Sequence, residues 1–146
     1  LESQFGADGG NLAQMYVVAH EYGHHVQNVL GILAKGQDGK TGPLSGGVRV
    51  ELMADCFAGV WANHAATTQD DAGNTLIEPL TANDIKSAMS AAAAVGDDHI
   101  QETLGGGRVK QDTWTHGSSQ SRQRWFTTGY ESGNLNSCNT FATNDL

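Results

Sequence analysis

The chain has 146 residues, of which 38% are hydrophobic and 16% charged, and its 16 acidic and 8 basic side chains give a net charge of −8. This length and composition predict one soluble globular domain, residues 1–146, with a single core. The negative charge argues against nucleic acid as a partner. No apolar run reaches the roughly 18 residues that a bilayer requires, so we expect no membrane-spanning segment in this chain.

The hydrophobic pattern predicts a mainly α-helical chain, because apolar residues recur at helical spacing in several segments. The helices are expected at Asn11 to Ala34, at about Gly47 to Ala66, at Thr81 to Val95, and from Ser118 or Ser119 onward. Thr81 and Asp84 stand close to the spacing of a capping box, which marks a helix start. Stretches rich in glycine and polar residues predict surface loops at 35–43 and 67–80.

The first predicted helix contains the pattern HExxH as His20-Glu21-Tyr22-Gly23-His24. Histidines four residues apart lie on one face of a helix, so the imidazoles of His20 and His24 can bind a single zinc ion. Glu21 is rotated away from that direction and can take a proton from the water molecule that attacks a carbonyl group. The pattern therefore predicts zinc-dependent hydrolysis of peptide bonds, with Glu21 as the catalytic base.

An HExxH pattern alone is only moderately specific, so a third ligand has to be identified. The metzincin pattern requires glycine and histidine where this chain has Gln27 and Leu30, which excludes that class. Glu51, on the second predicted helix, is the favoured third ligand. Asp55 lies four residues later on the same face, where it can accept a hydrogen bond from a ligating imidazole. Asp55 or His25 remain alternative ligands, although His25 is expected to point away from the two HExxH histidines.

Other polar residues have weaker patterns. His116 precedes an expected helix start, where it can hydrogen-bond a developing oxyanion or act as an ordinary loop residue that caps the helix. Asp97 and Asp98 lack the alternating oxygen ligands of a calcium loop, which favours a turn or a helix cap. Tyr130 can serve the same oxyanion, but its helical spacing with Trp125 and Phe126 favours a place in the core.

The chain has two cysteines, Cys56 and Cys138. They can form one disulfide bond or remain as two buried thiols. A bond would require an oxidising compartment and would tie the C-terminal segment to the second predicted helix. Export would favour the bond, and a cytosolic location the thiols.

Several blocks of the sequence resemble the bacterial putative neutral zinc metallopeptidase family, and together they cover nearly the whole chain. The most specific blocks are His20 to Gln27, with the sequence HEYGHHVQ, and Glu51 to Ala62, with the sequence ELMADCFAGVWA. The later blocks follow in the same order at Gly96 to Gln101, Thr115 to Ser119, Arg124 to Phe126, Gly129 to Tyr130, and Cys138 to Phe141.

The resemblance implies a gluzincin-type zincin, similar to thermolysin-like enzymes, that acts as a metalloendopeptidase on peptide or protein substrates. It implies one zinc ion per chain, with His20, His24 and Glu51 as ligands and Asp55 in support. It also implies an N-terminal region outside this sequence, carrying a membrane anchor and a substrate-binding sheet. The chain would then be a helical fragment of the catalytic domain, and the full-length protein would be extracytoplasmic, either membrane-anchored or secreted.

A second interpretation is a zinc-stabilised binding or structural domain with little or no catalysis. It is motivated by the expected absence of the substrate-binding sheet from this sequence.

Overall fold

The computed structural model describes residues 11–75 and 77–146. Within these ranges the chain forms five α-helices, α1 Asn11–Val29, α2 Gly46–Ala65, α3 Ala82–Ala94, α4 Asp97–Leu104 and α5 Ser119–Ser132. Short 3₁₀ turns lie at Leu33–Gly36, Gln111–Thr113, Leu135–Cys138 and Thr140–Ala142. The only β pairing in this part of the chain is an isolated bridge between Gln69 and Thr75. The prediction of a mainly helical chain is confirmed. None of the described helices is both long and apolar enough to cross a membrane.

The helices α1, α2, α5 and α3 pack around a shared core, with each contacting the next and α3 returning to α1. This core includes Leu12 and Tyr16 from α1, Ala88 from α3 and Phe126 from α5. The alanine-rich face of α3 has little bulk, which lets it approach its neighbours closely. A second apolar cluster surrounds the other half of α2 and includes Val48, Leu52, Trp114, Trp125 and Cys138.

The closest helix contact is between α2 and α5, and two glycines make it possible. A Cβ atom on Gly59 would lie 2.0 Å from the carbonyl oxygen of Phe126, and one on Gly129 would lie 1.9 Å from that of Cys56. Cys56 is bonded to Cys138, 82 positions later in the chain, beside the same contact. Backbone therefore packs directly on backbone here, and the disulfide fastens the C-terminal segment to α2.

The prediction that the first helix continues to Ala34 is wrong, because Gly31 ends it. Gly31 has φ 70°, a left-handed conformation that glycine adopts without steric cost. The amide of Ile32 donates to the carbonyl of Gln27 at 2.8 Å, and the amide of Gly31 donates to that of Asn28 at 3.0 Å. These two bonds form a Schellman motif, which terminates the helix at Val29.

The starts of α3 and α5 agree with the sequence, whereas α4 was not predicted. Thr81 and Asp84 form a full capping box at the start of α3. Ser118 caps α5, since its hydroxyl oxygen accepts from the amide of Ser121 at 3.0 Å. The segment of α4 is predicted from the sequence only as a turn or a cap at Asp97 and Asp98. It has only 8 residues, too few for its periodicity to be distinguished from a turn.

Replacing Gly129 by alanine should destabilise the chain by about 1–3 kcal/mol, because the new methyl group forces α2 and α5 apart. Gly47→Ala is a matched control within a helix, since the nearest atom to its Cβ would lie at an ordinary 3.5 Å. Urea unfolding should show a loss for Gly129→Ala and no loss, or a small gain, for Gly47→Ala. Equal stability of the two variants would contradict the close helix contact.

Candidate metal centre

Three side chains from two helices converge at one point. His20 and His24 lie one turn apart on α1, and Glu51 lies on α2. The two imidazole Nε2 atoms are 3.1 Å apart. Glu51 places one carboxylate oxygen 3.3 Å from Nε2 of His20 and the other 3.4 Å from Nε2 of His24. In the part of the chain that the structure describes, this is the one group of histidine, cysteine or acidic residues that could hold a metal ion.

The arrangement of these donors fits zinc. Two atoms bound to zinc at about 2.0–2.1 Å in a tetrahedron lie about 3.3 Å apart. The two imidazole nitrogens are 3.1 Å apart, and they lie 3.3 and 3.4 Å from different oxygens of Glu51, so each contact is close to that edge length. Two imidazole nitrogens and one carboxylate suit zinc better than calcium or magnesium, which prefer oxygen ligands throughout. Three protein ligands also match the number typical of catalytic zinc sites, which keep a position for water or substrate.

His20 is oriented by a carboxylate behind it. Its Nδ1 lies 2.8 Å from Oδ1 of Asp55, which is fully buried. A carboxylate only accepts hydrogen bonds, so Nδ1 carries the proton and Nε2 faces the cluster. The Tyr16 hydroxyl donates to the same Asp55 oxygen. Asp55 thus lies behind the ligands and outside the ligand cluster.

Arg122 on α5 is a component of the site that the sequence analysis missed. It is only 3% exposed, and its Nε and Nη2 donate to the two oxygens of Asp55 at 2.8 and 3.0 Å. Nη2 also lies 3.7 Å from Glu51. A signal was present, since Arg122 shares one helix face with Trp125, Phe126 and Gly129. A charged residue within an apolar stripe is rarely buried without a partner.

These contacts perturb the ionisation of the metal-free site. Burial lowers the pKa of His20. The charge of Asp55 and the hydrogen bonds of the imidazole to Asp55 and Glu51 outweigh burial and raise this pKa to about 9. Burial raises the pKa of Glu51, but hydrogen bonds from both histidines lower it well below its usual range. Burial also opposes ionisation of Asp55, whereas Arg122 and then His20 lower its pKa. Both carboxyl groups are therefore ionised at neutral pH, whereas His20 carries a proton that a cation has to displace.

The cluster opens into a cleft of about 490 Å³. Its lining residues are Tyr16, Val17, His20, Glu21, His24, Glu51, Val95, Ile100, His116 and Arg122. Glu21 is exposed to solvent on this wall, beside the ligands. A larger groove of about 1050 Å³ runs between α1 and α2, but no carboxylate or imidazole lines it. The chemistry that the sequence predicts therefore belongs to the smaller cleft.

His116 reaches the cleft from the loop before α5, held by Asp97. One oxygen of Asp97 accepts from the amides of Thr115, His116 and Gly117 at 2.8, 2.7 and 2.8 Å. The other lies 3.4 Å from Nδ1 of His116. The hydrogen bond to Asp97 raises the pKa of His116, although burial acts in the opposite direction. Asp97 thus organises the turn at Thr115 to Gly117, which the sequence did not predict, and it also orients a histidine.

The remaining candidates lie away from the cluster or serve other purposes. His25 is exposed and packs against the ring of Tyr22, with 5.4 Å between ring centroids. Asp98 accepts from the amide of Ser119 at 2.7 Å, at the start of α5. Tyr130 stacks on Phe126 in the core. None of these side chains belongs to the three-residue cluster.

Two histidines and a glutamate at the wall of a cleft form the donor set of a candidate His₂Glu metal centre. The chain belongs to the family described as "Putative neutral zinc metallopeptidase", whose model matches residues 1–141. The resemblance recognised from the sequence is confirmed, and the name of the family agrees with the donor set.

Three relatives show how far this similarity extends. The uncharacterised protein Rv2575 of Mycobacterium tuberculosis H37Rv is 55% identical over 147 residues, which cover 100% of this chain and 50% of the relative. The uncharacterised protein Mb2605 of Mycobacterium bovis has the same identity and coverage. The uncharacterised protein YpfJ of Escherichia coli K12 is 44% identical over 148 residues, which cover 97% of this chain and 47% of the relative. The chain spans about half the length of these relatives. No solved structure matches it.

Zinc binding by this chain should release protons and strengthen with pH. With its pKa raised to about 9, His20 is protonated near pH 7 in the metal-free protein, and zinc has to displace that proton. The apparent affinity should therefore rise about tenfold per pH unit between about pH 6.5 and 8, as measured by competition with a chelator. His25→Ala should leave this slope unchanged, since His25 lies outside the cluster. An affinity independent of pH would contradict the assigned ligand.

Proposed function

We propose that the chain is a zinc-dependent metalloendopeptidase and forms a single catalytic domain. The observation that supports this most is the convergence of His20, His24 and Glu51 on the wall of a cleft that also exposes Glu21. The family to which the chain belongs points the same way. The substrate is a peptide or protein whose backbone enters the cleft.

His20, His24 and Glu51 would hold the ion, while Asp55 keeps the ring of His20 in place. Bound zinc would lower the pKa of a water molecule toward about 7 and would polarise a carbonyl oxygen. Glu21 accepts a proton from the water molecule while the water oxygen attacks the carbonyl carbon of the peptide bond. When the C–N bond breaks, Glu21 returns that proton to the departing amine.

His116 stabilises the negative charge that develops on the carbonyl oxygen. Its place in the cleft and its raised pKa support this role, because a protonated imidazole donates hydrogen bonds from both nitrogens. Asp97 holds one side of the ring and the adjacent backbone, which leaves the other nitrogen for substrate. Val17, Val95 and Ile100 supply an apolar surface of the cleft for a substrate side chain.

We further propose that the full-length protein is extracytoplasmic, either secreted or held at a membrane. The bond between Cys56 and Cys138 supports this location, since disulfides persist mainly in oxidising compartments.

Glu21→Gln should keep zinc but lower kcat/KM for peptide hydrolysis by about 10²–10⁴-fold, because the amide cannot accept the proton. Cleavage of a quenched fluorescent peptide library by the zinc-loaded chain measures this, with zinc content determined by mass spectrometry. Glu131→Gln, at an exposed position on α5, is the matched control and should retain full activity.

The same assay distinguishes the competing interpretations. Retained peptidase activity in Glu21→Gln would exclude Glu21 as the base. A wild-type chain that binds zinc and requires it for folding, but cleaves no peptide, would favour a zinc-stabilised structural domain. A wild-type chain that binds no zinc would exclude both functions.

His116→Ala should lower kcat by about 10²-fold with a smaller change in KM, since its hydrogen bond forms mainly in the transition state. Zinc content should not change, because His116 is not part of the ligand cluster. His25→Ala provides an exposed histidine control on α1. A His116→Ala variant with wild-type kcat would show that the side chain serves only the loop.

A further inference from the structure

Gln27 is a fully buried amide between His24 and α2. Its Oε1 lies 2.8 Å from Nδ1 of His24, and its Nε2 donates to the carbonyl oxygen of Val50 at 2.8 Å. Val50 is the residue immediately before Glu51. One side chain therefore contacts a candidate ligand on α1 and the backbone next to a candidate ligand on α2.

The orientation of this amide is determined by its partners. The carbonyl of Val50 can only accept a hydrogen bond, so the NH₂ group of Gln27 has to face it. The amide oxygen then faces His24 and requires a proton on Nδ1. A neutral imidazole carries one N–H, so Nε2 of His24 is left with its lone pair. That nitrogen lies 3.4 Å from Glu51 and 3.1 Å from Nε2 of His20, inside the cluster.

The two histidines are thus supported in parallel ways. The outer nitrogen of His20 faces the carboxylate of Asp55, and that of His24 faces the neutral amide of Gln27. Such outer partners fix the ring orientation and the tautomer of a ligating histidine. The side-chain amide of Gln27 is held in this orientation because it is fully buried and both its oxygen and its nitrogen have hydrogen-bond partners.

We infer that Gln27 is a positioning residue of the metal centre, which holds His24 in the tautomer that binds the ion and ties it to the segment of α2 that carries Glu51. The inference rests on the proposed function, since it assigns His24 and Glu51 to one metal ion. It goes beyond the ligand set because Gln27 is outside the three-residue cluster and does not line the cleft.

The test is zinc affinity, measured by chelator competition at fixed pH. Gln27→Met keeps the volume of the side chain but removes both hydrogen bonds, and it should weaken zinc binding by about 10–100-fold. Gln27→Glu keeps an oxygen acceptor for His24 but loses the bond to Val50, so it should recover only part of that loss. Thr140→Val is the matched control, since the buried Thr140 hydroxyl donates to the carbonyl of Arg49, the neighbour of Val50. It should bind zinc like the wild type.

A second measurement needs no variant. In the zinc-loaded wild type, ¹⁵N NMR should show a slowly exchanging proton on Nδ1 of His24, protected by the buried amide. The inference is overturned if that proton is absent, if Gln27→Met binds zinc as tightly as the wild type, or if Thr140→Val loses as much affinity. Those results differ from failure of the proposed function, in which the wild-type chain itself binds no zinc or cleaves no peptide.

Discussion

The buried carboxylate of Asp55 is the interaction on which the rest of the structure depends. It is fully buried on α2, and it accepts hydrogen bonds from Tyr16 and His20 on α1 and from Arg122 on α5. A buried charge costs several kcal/mol unless it is paired and hydrogen-bonded. These donors surround Asp55 only when α1, α2 and α5 pack in this register. Any other packing would bury the carboxylate without its partners and would be less stable. The same bonds fix the ring of His20.

The charges around Asp55 also determine what the cluster can bind. Arg122 neutralises Asp55, so Glu51 is left as the uncompensated charge when both histidines are neutral. A divalent cation on this site would retain a net positive charge, which a Lewis acid needs in order to polarise a carbonyl group. Asp55 also opposes metal binding, because the carboxylate that orients His20 raises the pKa of that imidazole to about 9. Proton and metal therefore compete for the same imidazole.

Local sequence patterns predicted part of this site. The rest depends on packing between distant segments, which the sequence does not reveal. The HExxH and ExxxD spacings and the Thr81 cap involve residues at most four positions apart, so helix geometry alone relates them. Arg122 and Asp55 are 67 positions apart, and no local rule brings them together. Arg122 still left a signal, a charge on an apolar stripe, and Gly31 was a recognisable helix end. Gln27 stands three positions after His24, which helix geometry relates, but its bond to Val50 on another helix left no signal in the sequence.

Residues that support the metal centre and glycines of the close helix contact lie on the same faces of α2 and α5. A change at the helix contact therefore also affects the metal centre. Asp55 lies one turn before Gly59 on α2, and Arg122 lies two turns before Gly129 on α5. The backbone contact at the two glycines therefore determines how far Arg122 stands from Asp55. A methyl carbon at Gly129 would lie 1.9 Å from the carbonyl oxygen of Cys56, so α5 has to move away from α2 and stretch the bonds from Arg122 to Asp55, which are now 2.8 and 3.0 Å long. Glycine at these positions thus preserves the orientation of His20, through Asp55, as well as the stability of the fold.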